Sequence, residues 1–360
     1  MALTKVSAGV LNIDDLYGFR NRIINGAMDI DQRNAGASTT PVDAYTLDRW
    51  EVREDTDGAV TCQQVTDAPV NFRNSMRITV TSTDSSLTGT QRLFVRQPIE
   101  GNNVEDLNWG TANARPISLS FWVKSSVTGT YGVSFGNSGN SRNYVTTYTI
   151  NVANTWEYKT LTIPGDTSGT WLTDNGMGLG LFFALAMGPD YSTSTVNAWQ
   201  AGIRFSASGA TSLIATSGAT WQVTGVQVEV GSVPTPFERR PIGLELALCQ
   251  RYYEVIPCGN ESLLGAYTTG NGSRFNISAI PFAVEKRATP TMPVVSPSGQ
   301  WVVSGVVAVS ASTTTAFTPF NMNTRTFTVS VARNTGGTTP SNGSIYMWEQ
   351  SVTFTAAAEF

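Results

Sequence analysis

From Asn21 to about Gly231 short apolar runs alternate with clusters of Gly, Ser, Thr, Asn and Asp, the spacing of strands and turns in an all-β sandwich. Residues Ile117 to Lys124 show the pattern most plainly. Ile117, Leu119, Phe121 and Val123 fall on one face and Ser118, Ser120, Trp122 and Lys124 on the other, because successive side chains of a strand point to opposite sides. Val226, Val228 and Val230 oppose Gln227 and Glu229 in the same way. One sheet face is therefore expected in the core and the other in water. Further strands are predicted at Tyr131 to Phe135, Tyr144 to Val152, Glu157 to Ile163, Leu179 to Met187 and Thr220 to Val230.

The alternation breaks at Pro234-Thr-Pro236, since two prolines so close cannot sit in a central strand. A helix is predicted next, from Gly243 to Tyr253, built of good helix formers just past Pro241. Ile242, Leu246, Cys249 and Tyr253 follow a 4-3-4 spacing along it. That stripe fits either the seam of a short coiled coil or a helix packed on its own domain. After Pro257 strands are predicted at Arg274 to Ile280, Trp301 to Ser310, Thr324 to Ala332 and Ser344 to Thr355. The organisation read from this is an N-terminal arm (1–20, with Asn12 as the N-cap of a short helix), a β-sandwich (21–233), a linker with a hinge helix (234–256) and a smaller C-terminal β-sandwich (257–360).

Composition narrows the chemistry. The 360 residues are 41% apolar, enough for two cores, yet only 14% charged. A net charge of −4 with no Lys/Arg cluster gives no footprint for nucleic acid or an anionic membrane. The opening MALTKVSAGVLNIDDL lacks the basic and apolar runs of a secretory leader, and no stretch approaches the ~18 apolar residues of a membrane span. The chain is expected to fold in a cytosol without membrane insertion. Cys62, Cys249 and Cys258 are expected to be small buried thiols. With no histidine anywhere, Ser-His-Asp triads, Cys-His nucleophiles and HExxH zinc sites are excluded. A glycosidase-type carboxylate pair stays open among 27 acidic residues.

Two segments stand out: Arg22 to Asn34 (RIINGAMDIDQRN) followed by Leu47-Asp-Arg-Trp50, and Val226 to Tyr253 (VQVEVGSVPTPFERRPIGLELALCQRYY). Together they resemble phage virion proteins of the tail-fibre and adhesin kind, in which a jelly roll opens on an INGAM…DRW pattern and closes on a QVEVG…PFERRP…ELALCQRYY hinge. The stretch between them is similar to jelly-roll carbohydrate-binding modules. The resemblance implies a jelly roll over 21–233, a hinge helix and a β-tip. It further implies a homotrimer held to other virion proteins through Met1 to Arg20, assembled in the host bacterial cytoplasm and located in the virion. The implied role is non-catalytic attachment to host cell-surface polysaccharide. A capsid-decoration or head-fibre protein is the alternative, and a glycan depolymerase the third reading. The tip's Met-Arg-Ala-Ala/Thr-Pro-Thr run departs from the pattern here: Glu285 to Thr291 reads EKRATPT, with Lys286 in place of Met.

Sugar recognition needs aromatic faces rimmed by polar groups. Trp122 qualifies by its place between Ser120 and Lys124, and Trp171, Tyr191 and Trp199 by their polar neighbours. Tyr267, Trp301 and Phe320 are alternatives at the tip. Trp50, Trp156 and Trp221 read as core anchors. No cofactor is expected. Glu54-Asp-Thr-Asp57-Gly58 has the look of a calcium turn, and Asp29-Ile-Asp31 could also ligate a cation, but a solvated turn and a local salt bridge with Arg33 explain them as well. The glycines at 176, 178 and 180 precede no helix and are expected to thin a strand rather than to hold phosphate.

Overall fold

The computed structural model describes residues 19–258, 263–269, 274–294, 300–304, 312–313, 317–332, 342–347 and 352–360. The described residues are all-β but for one α-helix and a few single turns, and the chain divides between Pro241 and Ile242 into two compact units. That boundary falls inside the expected linker-and-helix segment.

The first unit is a sandwich of two antiparallel sheets. One contains, in order, β1 (Ala44–Leu47), β2 (Trp50–Glu54), β5 (Arg92–Glu100), β10 (Met177–Met187), β7 (Gly129–Gly136), β8 (Arg142–Ile150) and β12 (Trp199–Ala201). The other contains β3 (Ala59–Val65), β4 (Ser75–Ser82), β14 (Thr220–Val230), β6 (Ile117–Ser125) and β9 (Glu157–Ile163). A short parallel pair, β11 (Ser192–Thr193) and β13 (Ser206–Ala207), lies outside both. The inward faces interdigitate as alternation requires: Ile117, Leu119, Phe121 and Val123 are all buried. Phe121 meets Phe183 edge-on at 5.1 Å, and Trp221 donates its indole N–H to the Tyr148 hydroxyl at 3.0 Å. Cys62 is buried in this core, which pushes its thiol pKa up to about 12.

The wet-face expectation needs correction on β14 and β6. Gln227, Glu229, Ser118 and Ser120 are buried, and residues 234–238 fold back across Gln227 and Glu229. The Thr235 N–H and hydroxyl donate to the two Glu229 carboxylate oxygens, both at 2.7 Å, and the Glu238 N–H donates to Gln227 Oε1 at 2.7 Å. Pro234 to Pro236 are thus a covering strap of the first unit and not a free linker.

The strap also reaches the start of the described chain. The Glu238 carboxylate accepts the N–H groups of Arg20 and Asn21, and Arg240 donates to the carbonyls of Asn21 and Ile23. The two motif segments are therefore partners in space. Asn25, at φ 57, donates to the Ile30 and Asp48 carbonyls and accepts the Ile30 N–H, while its own carbonyl takes the Trp50 indole N–H. A side chain at Gly26 would put Cβ 2.2 Å from the Val226 carbonyl oxygen, so only glycine permits this approach to β14.

The second unit begins with α1 (Ile242–Gln250). Strand β15 (Tyr253–Cys258) pairs with β23 (Val352–Ala357). A seven-stranded sheet follows the order β19 (Ser312–Thr313), β18 (Gln300–Ser304), β22 (Asn342–Met347), β16 (Leu263–Thr269), β17 (Arg274–Pro281), β21 (Thr326–Ala332) and β20 (Phe317–Phe320). Two expectations change. The helix stops at Gln250, Tyr252 is buried, and Tyr253 opens a strand opposite Ala357, so the 4-3-4 stripe is not continuous on a helix. The single strand expected from Ser344 to Thr355 is two strands in different sheets. Residues 305–310 of the strand expected from Trp301 lie outside the described residues, as do Asn12 and the side chain of Cys258.

Candidate functional site

Strand β14 carries an extra residue between Thr224 and Gln227, where its register against β6 shifts. Gly225 takes φ 62 at this bulge. A Cβ there would lie 2.6 Å from Phe72 Cζ and 3.2 Å from Trp122 Cδ1, so the glycine lets two aromatic rings rest on the strand. Trp122 faces Thr224 on one side and Tyr158 on the other, and its ring lies 5.3 Å from that of Tyr158.

The strap supplies the opposite wall. Phe237 packs edge-on against Phe72 at 5.2 Å, and the Arg239 guanidinium lies 4.8 Å from the Phe72 ring centre while donating to the Asn71 carbonyl. Together with Val70 and the two strap prolines, these residues enclose a groove of ≈ 520 Å³ on the outer face of the five-stranded sheet. Tyr158 is 45% exposed and Trp122 half-buried, so aromatic faces are presented to solvent.

The rim is pinned. The Glu157 carboxylate accepts the N–H groups of Asn151 and Val152 and pairs with Lys159. Burial alone would raise its pKa, but the Lys159 ammonium and these donors outweigh burial and hold it at about 2. Trp156 lies two positions from Tyr158, on the same side; it is half-buried rather than a core anchor. Its indole N–H reaches Asp67 at 3.4 Å, and Lys124 sits 5.2 Å from its ring centre while pairing with Asp67.

The four candidates from sequence are not brought together. Trp171 and Trp199 pack with Trp109 in a mutual edge-on triad at 4.8–5.3 Å. Their indole N–H groups donate to the carbonyls of Ser168 and Pro164, so both extend the core. Tyr191 leans on Phe205, which packs with Phe94 and Phe182 away from the main core. Only Trp122 lines the groove. Phe72, Tyr158, Phe237 and Arg239 were not singled out from sequence. Tyr158 could have been, since it shares the outer face of β9 with Thr160 and Thr162. The side chains of Tyr267 and Trp301 lie outside the described residues, and Phe320 ends β20 half-buried.

The acidic turns have partners within the chain. Glu54 accepts the N–H and hydroxyl of Thr56, Asp55 pairs with Arg92, Asp29 accepts from Asn74, and Asp31 accepts the N–H groups of Asn34 and Gly36. Among the described residues no group of three or more His, Cys, Asp or Glu side chains could hold a metal ion. No helix is long and apolar enough to cross a membrane, among the described residues. Gly178 lies in β10, where a Cβ would meet Gly101 Cα at 2.6 Å.

Comparison with known proteins gives likenesses of fold. The enzymatically active domain of tailspike protein 4 of bacteriophage CBA120 superposes with a TM-score of 0.34 at 14% identity, over 59% of this chain and 21% of that one. The family 11 carbohydrate-binding module of Clostridium thermocellum, in complex with a β-1,3-1,4-mixed-linked tetrasaccharide, gives 0.29 at 15% identity, over 55% of this chain and 98% of that one. TmCBM61 in complex with β-1,4-galactotriose gives 0.30 at 9% identity, over 59% and 100%. The chain thus spans about a fifth of the tailspike domain. No protein-family model and no curated protein matches it.

Proposed function

We propose that the chain is a non-catalytic, glycan-binding component of a bacteriophage virion, a tail fibre that holds host cell-surface polysaccharide in the groove at Trp122. The observation that carries this is the groove itself. Flat apolar faces of Trp122 and Tyr158 are open to solvent beside polar backbone, the combination that stacks on pyranose C–H groups. Among the described residues its lining contains no carboxylate, which favours a binder over an acid–base hydrolase at that place. The test is a glycan array followed by titration of the best ligand. Trp122→Ala and Tyr158→Ala are each expected to weaken binding about tenfold or more, whereas Trp199→Ala leaves any surviving affinity unchanged. Unaltered binding in both groove variants would move the site elsewhere.

The proposal includes a homotrimer assembled through α1. In support, Ile242 is 61% exposed and Leu246 only half-buried at the start of the second unit, although Cys249 is already buried in its own chain. Sedimentation is expected to show three chains, and Leu246→Asp to separate them by placing a charge at each apolar contact. A wild-type monomer at micromolar concentration would refute the trimer.

A further inference from the structure

Resting on the glycan reading above, we propose that the saccharide held in the groove carries a carboxylate, as a uronic acid does, and that Arg239 binds it. Among the described residues, Arg239 is the one charged residue lining the groove. Lys124, two positions from Trp122, pairs with Asp67, and Arg240 pairs with Glu238. Arg239 is exposed and has no ion-pair partner among the described residues; its guanidinium donates to the Asn71 carbonyl.

Position matters as much as charge. The guanidinium lies over Phe72 at 4.8 Å and near Phe237 at 5.7 Å, so two rings hold its plane before any ligand arrives. Phe72 is set by a turn in which its N–H donates to the Pro69 carbonyl at 3.0 Å, and Phe237 by the strap that Glu229 and Gln227 fasten. A stacked guanidinium loses little further freedom on binding, and its remaining donors match a carboxylate in a planar fork. The groove thus offers an apolar floor for a sugar ring and, at one wall, a fixed cation. A neutral polysaccharide would leave that cation unused.

The experiment uses the full chain and a panel of bacterial polysaccharides that contain uronic acids, each alongside the same polymer after chemical reduction of its carboxyl groups. The native polymers are expected to bind about tenfold or more tighter than their reduced forms, with the difference shrinking as salt rises. Arg239→Gln is expected to abolish that difference. Arg239→Lys, which keeps the charge without the fork, should restore part of it. Equal binding of native and reduced polymers would overturn the carboxylate inference and leave the glycan reading standing. So would a preference for the native polymers that survives in Arg239→Gln. Failure of every polymer to bind the wild type would overturn both.

Discussion

Replacing Asn25 with alanine is expected to cost the first unit about 3–6 kcal/mol, measured by urea unfolding followed through tryptophan fluorescence. Three buried backbone groups lose their partner at once: the Ile30 N–H, the Ile30 carbonyl and the Asp48 carbonyl. Each orphaned group costs about 1–3 kcal/mol. Alanine also tolerates φ 57 less well than asparagine, whose short polar side chain suits the left-handed region. Against a domain stability of roughly 5–15 kcal/mol, this is enough to leave much of the protein unfolded at 37 °C. A loss below about 1 kcal/mol would mean that water can replace the side chain, and that the Asn25 hydrogen bonds do not hold this segment in place.

The second large effect is expected at Lys286, in the other unit. Its side chain is fully buried, pairs with Glu254, donates to the Gln250 carbonyl at 2.5 Å and lies 4.9 Å from the Phe282 ring centre. Burial pushes its pKa down and Glu254 pulls it back. Lys286→Met, which installs the residue of the resembled motif, strands the Glu254 carboxylate and is expected to cost about 3–5 kcal/mol near neutral pH. Adding Glu254→Gln, which still accepts the Ala283 N–H, should return most of the loss. Thermal unfolding of the single and double variants at neutral pH decides this. A double variant no more stable than Lys286→Met would remove the argument.

Alternation made several strands legible, and β9 and β14 begin and end where it places them. It was least informative where a strand is covered on both sides. In β10 ten of eleven residues are buried, and in β5 the outward Phe94 is capped by Phe205, so no two-residue period survives. The bulge at Gly225 lets Val223 and Val226 both point inward, three positions apart, against strict alternation. Local polarity misled at Trp171 and Trp199, whose cover comes from Trp109 far along the chain. The groove was only partly legible for the same reason. Trp122 could be read from its strand, but Phe72, Phe237 and Arg239 reach it from separate segments that only the folded chain brings together. The helix ended early because Tyr252 enters the core and Tyr253 joins a ladder, a tertiary choice that helix propensity does not record.

The strap has a consequence for how the protein is made. Its clamps join residues 217 and 219 positions apart, Glu238 to Asn21 and Arg240 to Asn21. Contacts of such sequence separation close late in folding, since the loop entropy must be overcome before they form. On the ribosome the sandwich cannot latch until the chain has emerged past Arg240, and the same residues complete the wall of the groove. A nascent chain interrupted before that point would expose an unlatched sheet and present half a binding surface. Under the proposed function, ligand binding would therefore report on completed synthesis of the first unit, and a polysaccharide matrix would separate finished chains from truncated ones in a single step.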